Sequence, residues 1–345
     1  MQKVAIISSL KRGGAERVSV YLSEYMVRHG IACDIISLSE CADEYMVPSG
    51  VGRYVTGGRN PLLLRRALRK CGADVVVIMG VPLCLFAVPA VIGLKQRIVV
   101  SERNAPECFE GKKIVKHLSR LLMRFAHGFV FQTVQAKEYY DSALHGRGTV
   151  IPNPLLCDTL PEPYSGERDR VIVSVGRLET QKNQKILIEA FALVSARFPN
   201  YRLVIYGEGK LRKELQRQIE IAGLGNRIEL PGNTLDVLEK IKRAALFVLP
   251  SRYEGIPNAL IEAMALGLPC VSTDCPCGGA SFLIENSVNG LLVPVDHLEA
   301  LANAMEWLIM HPERAEQMGR QAIQIRERLD AEIIGKQWLD YLERV

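Results

Sequence analysis

Short apolar runs alternate with amphipathic stretches along the first half of the chain. The apolar runs predict strands, and residues 15–29, which Gly30 follows, predict an amphipathic helix. The predicted strands of this half are 4–8, 33–38, 75–79, 97–101 and 128–131. Strands that alternate with helices are typical of a parallel sheet with helices on both faces.

The alternation stops at Ile151-Pro-Asn-Pro154, and residues 152–169 are rich in proline, which predicts an interdomain linker. It then restarts, with helices predicted at 184–198, 210–222 and 258–266. The predicted strands are 170–175, 202–206, 227–230, 245–249 and 270–273. Because the two halves open alike, we predict an α/β protein of two doubly wound, Rossmann-like domains that face each other across a cleft. The predicted divisions are 1–160, 161–320 and a C-terminal helical segment 321–345, which needs a surface to pack on and is expected to return to the N-terminal domain.

Composition fits this architecture. The chain has 345 residues, too many for one ordinary core, and its hydrophobic fraction of 48% and charged fraction of 23% are normal for a globular protein. Its nine cysteines lack zinc-ribbon spacing, and the Cys275-Pro-Cys277 pair has no matching cluster. We interpret them as reduced thiols of a cytoplasmic protein, with a metal site as the weaker alternative. The N-terminal residues do not resemble a secretory signal.

One uncharged stretch, residues 75–94, is long enough to cross a bilayer. It contains Gly80, Pro82, Pro89 and Gly93, however, and it opens with a β-branched run. We therefore predict a strand, a turn and a short buried helix, rather than a membrane span.

Positive charge is concentrated in the first half. Residues 1–165 carry 21 Lys and Arg against 14 Asp and Glu, although the whole chain has a net charge of only +5. Residues 111–129 combine apolar residues at helical spacing with five cations, Lys112, Lys113, Lys116, Arg120 and Arg124. Such a helix suits an anionic membrane surface, which we favour. The alternative is a core-facing helix with a solvated basic face.

Three loops at predicted carboxyl strand ends offer phosphate-binding chemistry. Gly13 and Gly14 open a helix whose free N–H groups can meet an anion, although a plain tight turn is the equal alternative. Arg177 and Lys182 suit a diphosphate, or else are solvated surface cations. Gly207 and Gly209 either bring backbone close to a nucleotide or simply turn the chain.

The stretch SRYEGIPNALIEAMALGLP, residues 251–269, sets Glu254 in a turn and Glu262 inside the helix that follows. Pro257 suits the helix start, and Asn258 shares a face with Glu262. A ligand at that helix start would place phosphate on the amides and hydroxyl-bearing rings on the two carboxylates. The pattern therefore favours a sugar-nucleotide clamp over a metal site, since no third ligand stands nearby, and over a solvated surface helix.

This stretch resembles the E-x7-E motif of the retaining glycosyltransferases of family 4, which have the GT-B fold. The resemblance covers almost the whole chain. It includes GGAER at 13–17, SERN at 101–104, IPNP at 151–154, GRLETQKN at 176–183 and YGEGKLR at 206–212. It implies an N-terminal acceptor domain and a C-terminal nucleotide-sugar domain. SERN resembles the subset that builds bacterial surface polysaccharides and lipid-linked oligosaccharides.

The resemblance also implies roles for residues. Arg177 and Lys182 match the pair that holds the donor diphosphate, and Gly13 and Gly14 match the loop at the β-phosphate. Glu262 matches the acid on the ribose, and Glu254 the acid near the donor sugar. The family is generally independent of metal, so no cofactor is expected.

One position departs from the family. Many members carry a histidine where this chain has Glu102 and Arg103. We expect Glu102 to orient a hydroxyl group and Arg103 to stabilise charge. The expected protein is a hexosyltransferase at the inner face of the cell membrane. It uses a nucleotide sugar, with UDP favoured, and a lipid-linked glycan acceptor, and binds no nucleic acid. Two alternatives stay open: a sugar-nucleotide epimerase of the same fold, and a non-catalytic nucleotide-sugar-binding partner.

Overall fold

The computed structural model describes residues 1–11, 13–108, 112–144 and 146–345, with the backbone alone for 141–143. Gly111, the first residue of the predicted basic helix, lies outside these residues. The chain divides into two compact units, each with a parallel sheet. The first unit comprises Met1–Pro154 and Ala331–Val345, and the second comprises Leu155–Asp330.

The described residues of the first unit form seven strands and six helices. Its strands are β1 Lys3–Ile7, β2 Ala32–Ser37, β3 Gly52–Val55, β4 Val75–Met79, β5 Arg97–Ser101, β6 Gly128–Phe131 and β7 Gly148–Val150. Its helices are α1 Gly14–Arg28, α2 Pro61–Cys71, α3 Cys84–Val91, α4 Lys113–Met123, α5 Val134–Leu144 and, from the end of the chain, α14 Ala331–Arg344.

All seven strands are parallel, in the order β3-β2-β1-β4-β5-β6-β7. Residues Val75–Met79 of β4 are all buried, as expected of a β-branched strand covered on both faces. The order reverses direction between β1 and β4, so the carboxyl ends of these two strands border the crevice where doubly wound sheets bind ligands.

The uncharged stretch folds as predicted. After β4, a short 3₁₀ turn at Val81–Leu83 leads into α3, whose inward residues are buried. Gly80 has a φ of 116°, which the glycine permits at this sharp exit. Within the described parts of the chain, no helix is long and apolar enough to span a membrane.

The last helix, α14, packs on the first unit. Gly335 lies so close to Tyr25 of α1 that a Cβ atom at Gly335 would stand 2.4 Å from the Tyr25 ring. The Tyr21 hydroxyl donates to the carbonyl of Ala331, and the Tyr341 hydroxyl accepts the N–H of Phe129 at 2.7 Å. Trp338 is fully buried.

The second unit holds six strands and eight helices. Its strands are β8 Asp169–Val175, β9 Arg202–Tyr206, β10 Ile228–Gly232, β11 Ala244–Leu249, β12 Cys270–Thr273 and β13 Leu291–Val293. Its helices are α6 Gln184–Arg197, α7 Arg212–Ile221, α8 Val237–Ile241, α9 Asn258–Ala265, α10 Gly279–Leu283, α11 Leu298–Met310, α12 Pro312–Ala322 and α13 Ile325–Arg328.

This second sheet is also parallel, in the order β10-β9-β8-β11-β12-β13. Its direction reverses between β8 and β11. The core on one side of the sheet joins the buried faces of α6 and α11, with Phe191 and Met305 fully buried. The loops that leave β8 and β11 therefore border the ligand-binding crevice of this unit.

The division between the units differs from the predicted boundaries. It falls after Pro154 rather than after 160, because the N–H of Leu155 already bonds to Leu329 of the second unit. The chain returns at Ala331 rather than at 321. Residues 321–330 stay with the second unit because Arg326 donates to the carbonyls of Ala265 and Pro161.

Candidate active site

The loops that follow β8 and β11 meet at the crevice of the second sheet. The N–H of Arg252 donates to the carbonyl of Gln181 at 2.8 Å, and Nε2 of Gln181 donates to the carbonyl of Tyr253 at 3.0 Å. Two segments far apart in sequence are thus joined at the point where ligands bind in doubly wound sheets.

Lys182 and Glu254 form an ion pair across these two loops. Lys182 ends the 3₁₀ turn Thr180–Lys182, and its Nζ lies 2.5 Å from Oε1 of Glu254. The same carboxylate oxygen accepts the hydroxyl of Ser251 at 2.7 Å, and Gln181 Nε2 lies 3.5 Å from the other oxygen. Glu254 is 6% exposed. The carboxylate is therefore held in one orientation by several donors.

Arg177 is close to this pair but more exposed. Its guanidinium contacts Glu179 at 2.9 Å and donates to Oε1 of Gln181 at 3.0 Å. Gln181 therefore contacts both Arg177 and Glu254, and it links the two cations expected to hold a diphosphate. The structure brings the predicted residues Arg177, Lys182 and Glu254 together at the crevice.

Sequence reasoning missed Gln181 and Ser251. Both lie beside residues that were identified: Gln181 directly precedes Lys182, and Ser251 opens the loop that contains Glu254. Their positions at carboxyl strand ends are the signal that would have identified them.

Gly207 and Gly209 pack closely against the backbone of the loop that carries Arg177. A Cβ atom at Gly207 would stand 2.0 Å from the carbonyl oxygen of Gly176, and one at Gly209 would stand 2.3 Å from that of Leu178. The φ of Gly207 is 138°. The two glycines therefore allow close packing of backbone on backbone, and their contact with a nucleotide remains a prediction.

The helix α9 begins at Asn258, directly after Pro257 and the Glu254 turn. Asn258 and Glu262 lie one turn apart and are both half-buried. Gly267, with a φ of 73°, follows the end of the helix as predicted. The first turn of α9 and both predicted ribose-binding side chains thus belong to one short element beside Glu254.

In the first unit, the glycine pair stands at the start of α1. Gly13 is the extended residue before the helix, and Gly14 is the first helical residue. A Cβ atom at Gly13 would stand 2.4 Å from Oε2 of Glu16, whose other oxygen accepts the Ser9 hydroxyl at 2.7 Å. Sequence reasoning did not single out Glu16, a carboxylate in the first turn of a helix, where negative charge is favourable.

Glu102 follows β5 and is buried. Its Oε1 accepts the N–H groups of Arg103 at 3.0 Å and Asn104 at 3.2 Å, and its Oε2 accepts the hydroxyl of Tyr140 at 3.1 Å. Burial raises the pKa of Glu102 to about 6, and these hydrogen bonds oppose the rise. The carboxyl group is therefore able to change its protonation state near neutral pH.

Arg103 extends toward the ends of β6 and β7. Its Nη2 donates to Oδ1 of Asn153, which also accepts Nε2 of Gln132 at 2.7 Å. Its Nε and Nη1 are buried and have no hydrogen-bond partner among the described residues. Burial lowers the pKa of the guanidinium to about 9, and the charge of Glu102 opposes this. The arrangement suits an anionic or strongly polar ligand, because such a ligand would offset the cost of the buried cation.

The basic helix α4 exposes apolar side chains, in contrast to the core-facing alternative. Three exposed apolar residues of α4, and Phe125 in the turn that follows it, are spaced four, three and four positions apart. This spacing sets the three helical residues on one face. The four residues are Ile114 (65% exposed), Leu118, Leu121 and Phe125 (61% exposed), and we call them the α4 stripe.

The five predicted cations of this segment differ in exposure and in what they contact. Lys112, Lys113 and Arg124 are exposed. Lys116 is half-buried and donates to the carbonyl of Glu107 at 3.1 Å. Arg120 turns inward, onto two tyrosines of α5. Arg120 is therefore not available to a surface as predicted, because its guanidinium lies among aromatic rings.

Two Rossmann-like units, with cations and carboxylates at the switch point of the second, define the class of GT-B glycosyltransferases. The solved structure of HepE from Anabaena in complex with UDP-glucose shares this fold. It has a TM-score of 0.86 and 20% identity, and the match covers 100% of both chains.

Sequence comparison identifies the family. The Glycosyltransferase Family 4 model matches residues 12–158, and the Glycosyl transferases group 1 model matches residues 161–325. The chain belongs to the family 4 glycosyltransferases.

Two relatives match over nearly their full lengths. An α-1,4-N-acetyl-D-galactosaminyltransferase of Campylobacter jejuni is 26% identical, over 100% of this chain and 99% of its own. Its name gives a diphosphoundecaprenol-linked glycan, GalNAc-α-(1→4)-GalNAc-α-(1→3)-diNAcBac-PP-undecaprenol, as the acceptor. An uncharacterized glycosyltransferase of Haemophilus influenzae is 24% identical, over 94% of this chain and 95% of its own.

Proposed function

We propose that this enzyme transfers a hexose or N-acetylhexosamine from a nucleotide sugar, with UDP favoured, to a lipid-linked glycan in bacterial polysaccharide or oligosaccharide biosynthesis. The observation that carries the proposal is the Lys182–Glu254 pair beside Arg177 at the switch point of the second sheet. The Campylobacter relative, named for a lipid-linked acceptor, and the UDP-glucose complex of HepE support it.

In this proposal the second unit binds the donor. Arg177 binds the diphosphate through its planar guanidinium, and Lys182 contributes a point charge. Asn258 and Glu262 of α9 face the ribose, and Glu254 accepts hydroxyl groups of the donor sugar. Gly207 and Gly209 keep the Arg177 loop in the conformation that admits the nucleotide.

The proposed reaction retains the anomeric configuration. The bond between the anomeric carbon and the diphosphate oxygen breaks, and a bond to the acceptor oxygen forms on the same face. The acceptor proton passes to the departing phosphate oxygen. Negative charge develops on the diphosphate during this step, so Arg177 and Lys182 stabilise the transition state more than the ground state. These groups supply the positive charge, and the proposal includes no metal cofactor.

The first unit binds the acceptor in this proposal. Glu102 orients the attacking hydroxyl, and Arg103 stabilises negative charge through Nε and Nη1, the two nitrogens that lack a partner among the described residues. The proposed roles follow from the position of these residues at the carboxyl end of β5, where Glu102 is buried and Arg103 is half-buried. They stand in place of the histidine common in the family.

We further propose that the first unit meets the inner face of the cell membrane through the α4 stripe. An exposed apolar row flanked by Lys112, Lys113 and Arg124 matches a surface of acyl chains and anionic headgroups. An anionic polyprenyl diphosphate acceptor lies at the same surface. The location brings enzyme and acceptor together.

Donor binding is tested by thermal unfolding with UDP, GDP, ADP, CDP and dTDP. A nucleotide that binds the folded state adds about 2.7 kcal/mol of stability at a hundredfold excess over its dissociation constant. We expect UDP to stabilise the wild type but not Glu262→Ala. Glu189→Ala, which removes an exposed carboxylate of α6, is the control and should be stabilised like the wild type. If UDP still stabilises Glu262→Ala as it does the wild type, the proposed contact between Glu262 and the nucleotide is wrong.

Transfer itself is tested with a UDP-sugar and a synthetic polyprenyl-diphosphate-linked sugar, with and without EDTA. We expect an elongated glycan with a retained anomeric configuration, and the same rate in EDTA. A changed sugar nucleotide without acceptor would favour the epimerase. Binding of UDP with no product from any donor would favour the non-catalytic partner.

A further inference from the structure

A chain of side-chain contacts leads from α4 to the candidate acceptor site. The guanidinium carbon of Arg120 lies 4.6 Å from the ring centroid of Tyr139 and 5.5 Å from that of Tyr140. Its Nη2 donates to the Tyr139 hydroxyl and lies 3.4 Å from the carbonyl oxygen of Pro106. A cation over two aromatic faces and near these oxygens is well fixed.

Tyr140 continues the chain to Glu102. Its ring is 5% exposed and stacks on Phe131 of β6, with ring centroids 5.5 Å apart. Its hydroxyl donates to Oε2 of Glu102 at 3.1 Å. The other carboxylate oxygen accepts the N–H groups of Arg103 and Asn104. The hydroxyl therefore fixes the rotation of the carboxylate that orders the backbone at Arg103.

We propose that Tyr140 and Arg120 are positioning residues for sugar transfer. Tyr140 holds the Glu102 carboxylate in the orientation that orders Arg103, and Arg120, on the inner side of α4, holds Tyr140. This inference rests on the proposed function, in which Glu102 meets the acceptor and α4 meets the membrane. It gives Arg120 a role different from that of the exposed cations on the same helix.

The surroundings of Glu102 predict how the carboxyl responds to the loss of this contact. The groups that face it are Tyr140 of α5, Arg120 of α4, the buried thiol of Cys84 in α3, and Arg103. Burial raises the pKa of Glu102 to about 6, while the Tyr140 hydrogen bond and the Arg120 charge lower it. Removing the hydroxyl or the guanidinium should therefore raise the pKa further.

The test compares Tyr140→Phe with Tyr139→Phe, which removes the neighbouring hydroxyl but keeps both rings under Arg120. The protein is labelled with ¹³C at glutamate carboxyl carbons, and the resonance absent from Glu102→Gln identifies Glu102. We expect the Glu102 titration to move to higher pH in Tyr140→Phe and Arg120→Met and to stay at the wild-type midpoint in Tyr139→Phe. Equal midpoints in the two tyrosine variants would overturn the proposal.

Kinetics then show whether the contact acts through Glu102. With a UDP-sugar and a polyprenyl-diphosphate-linked acceptor, we expect Tyr140→Phe to lower kcat about tenfold, the size of one charge-assisted hydrogen bond, with KM for the donor unchanged. In a Glu102→Gln background the same change should have no further effect. A further tenfold loss of kcat on adding Tyr140→Phe to Glu102→Gln would overturn the proposal. Absence of transfer by the wild type would refute the proposed function instead, and the titration would still decide whether Tyr140 holds Glu102.

Discussion

The ammonium nitrogen of Lys182 lies 2.5 Å from Oε1 of Glu254, and the two side chains are 15% and 7% exposed. The pair joins the loops that leave β8 and β11. A largely buried ion pair is stable only while both partners are present, because removal of one leaves an uncompensated charge away from water. Lys182 and Glu254 therefore contribute to the folding stability of the second unit as well as to the proposed binding of the donor.

Lys182→Met is expected to lower the free energy of unfolding by about 3 kcal/mol, since Glu254 loses its cation while buried. Urea unfolding measures this loss, and a second change, Glu254→Gln, should return part of it. Arg177→Met is the matched control. Its side chain is 61% exposed, so its removal should cost less than about 1 kcal/mol, although both variants should lose affinity for UDP. Equal stability of the two single variants would argue against a buried pair.

Gly209→Ala is expected to destabilise the second unit by about 1–3 kcal/mol, because the added Cβ has no room. That atom would meet Leu178 backbone atoms at 2.3, 2.7 and 2.8 Å. Gly225→Ala is the control, since a Cβ there meets nothing within 4 Å. Thermal unfolding and UDP titration should separate the two variants. Similar melting temperatures and UDP affinities would mean that the Arg177 loop does not depend on this packing.

The α4 stripe is expected to bind anionic vesicles. Leu118→Glu removes one apolar contact and adds a negative charge, so partitioning onto phosphatidylglycerol vesicles should fall about thirtyfold, as expected for about 2 kcal/mol per leucine. Leu193→Glu, on α6, is a control of similar exposure, 47% against 44%, and should partition like the wild type. Sedimentation with vesicles measures both.

Binding by the wild type should also weaken as salt rises, because Lys112, Lys113 and Arg124 contribute a screened attraction. Equal partitioning of Leu118→Glu and Leu193→Glu would show that the α4 stripe does not contact the membrane. Binding that does not change with salt would show that the three cations do not contribute to it.

Local sequence patterns predicted the buried strands and the donor-site loops, but not every element. Residues 75–79, 97–101, 128–131, 202–206 and 270–273 have the predicted bounds, because buried parallel strands are continuous apolar runs. The strands β3, β7 and β13 were missed. They are three or four residues long, and none of them is buried along its whole length, so they give no continuous apolar run of four residues.

Contacts between distant segments could not be predicted from local sequence patterns. The E-x7-E spacing located Glu254, yet no local pattern indicates that Lys182 would pair with it, or that Ser251 and Gln181 would complete its hydrogen bonds. Similarly, the basic pattern of 111–129 predicted a helix, but the inward turn of Arg120 depends on Tyr139 and Tyr140, which the fold brings to it from α5.

Glu102 is expected to make stability depend on pH between about 4.5 and 7. Its pKa in the folded protein, about 6, lies above the ordinary value of 4.5. The folded state therefore holds this proton more tightly than the unfolded state does. The stability that follows is complete below pH 4.5 and is lost as pH rises through 6, by about 2 kcal/mol in total.

Glu102→Gln cannot lose this proton, so its free energy of unfolding relative to the wild type should rise by about 2 kcal/mol between pH 4.5 and pH 7. Urea unfolding at several pH values measures the difference. Glu189→Gln, an exposed residue on α6, should follow the wild type across the range. A Glu102→Gln curve parallel to that of the wild type would mean that the carboxyl ionises without cost. Glu102 would then be solvated, and its hydrogen bond from Tyr140 would not hold it in a protein interior.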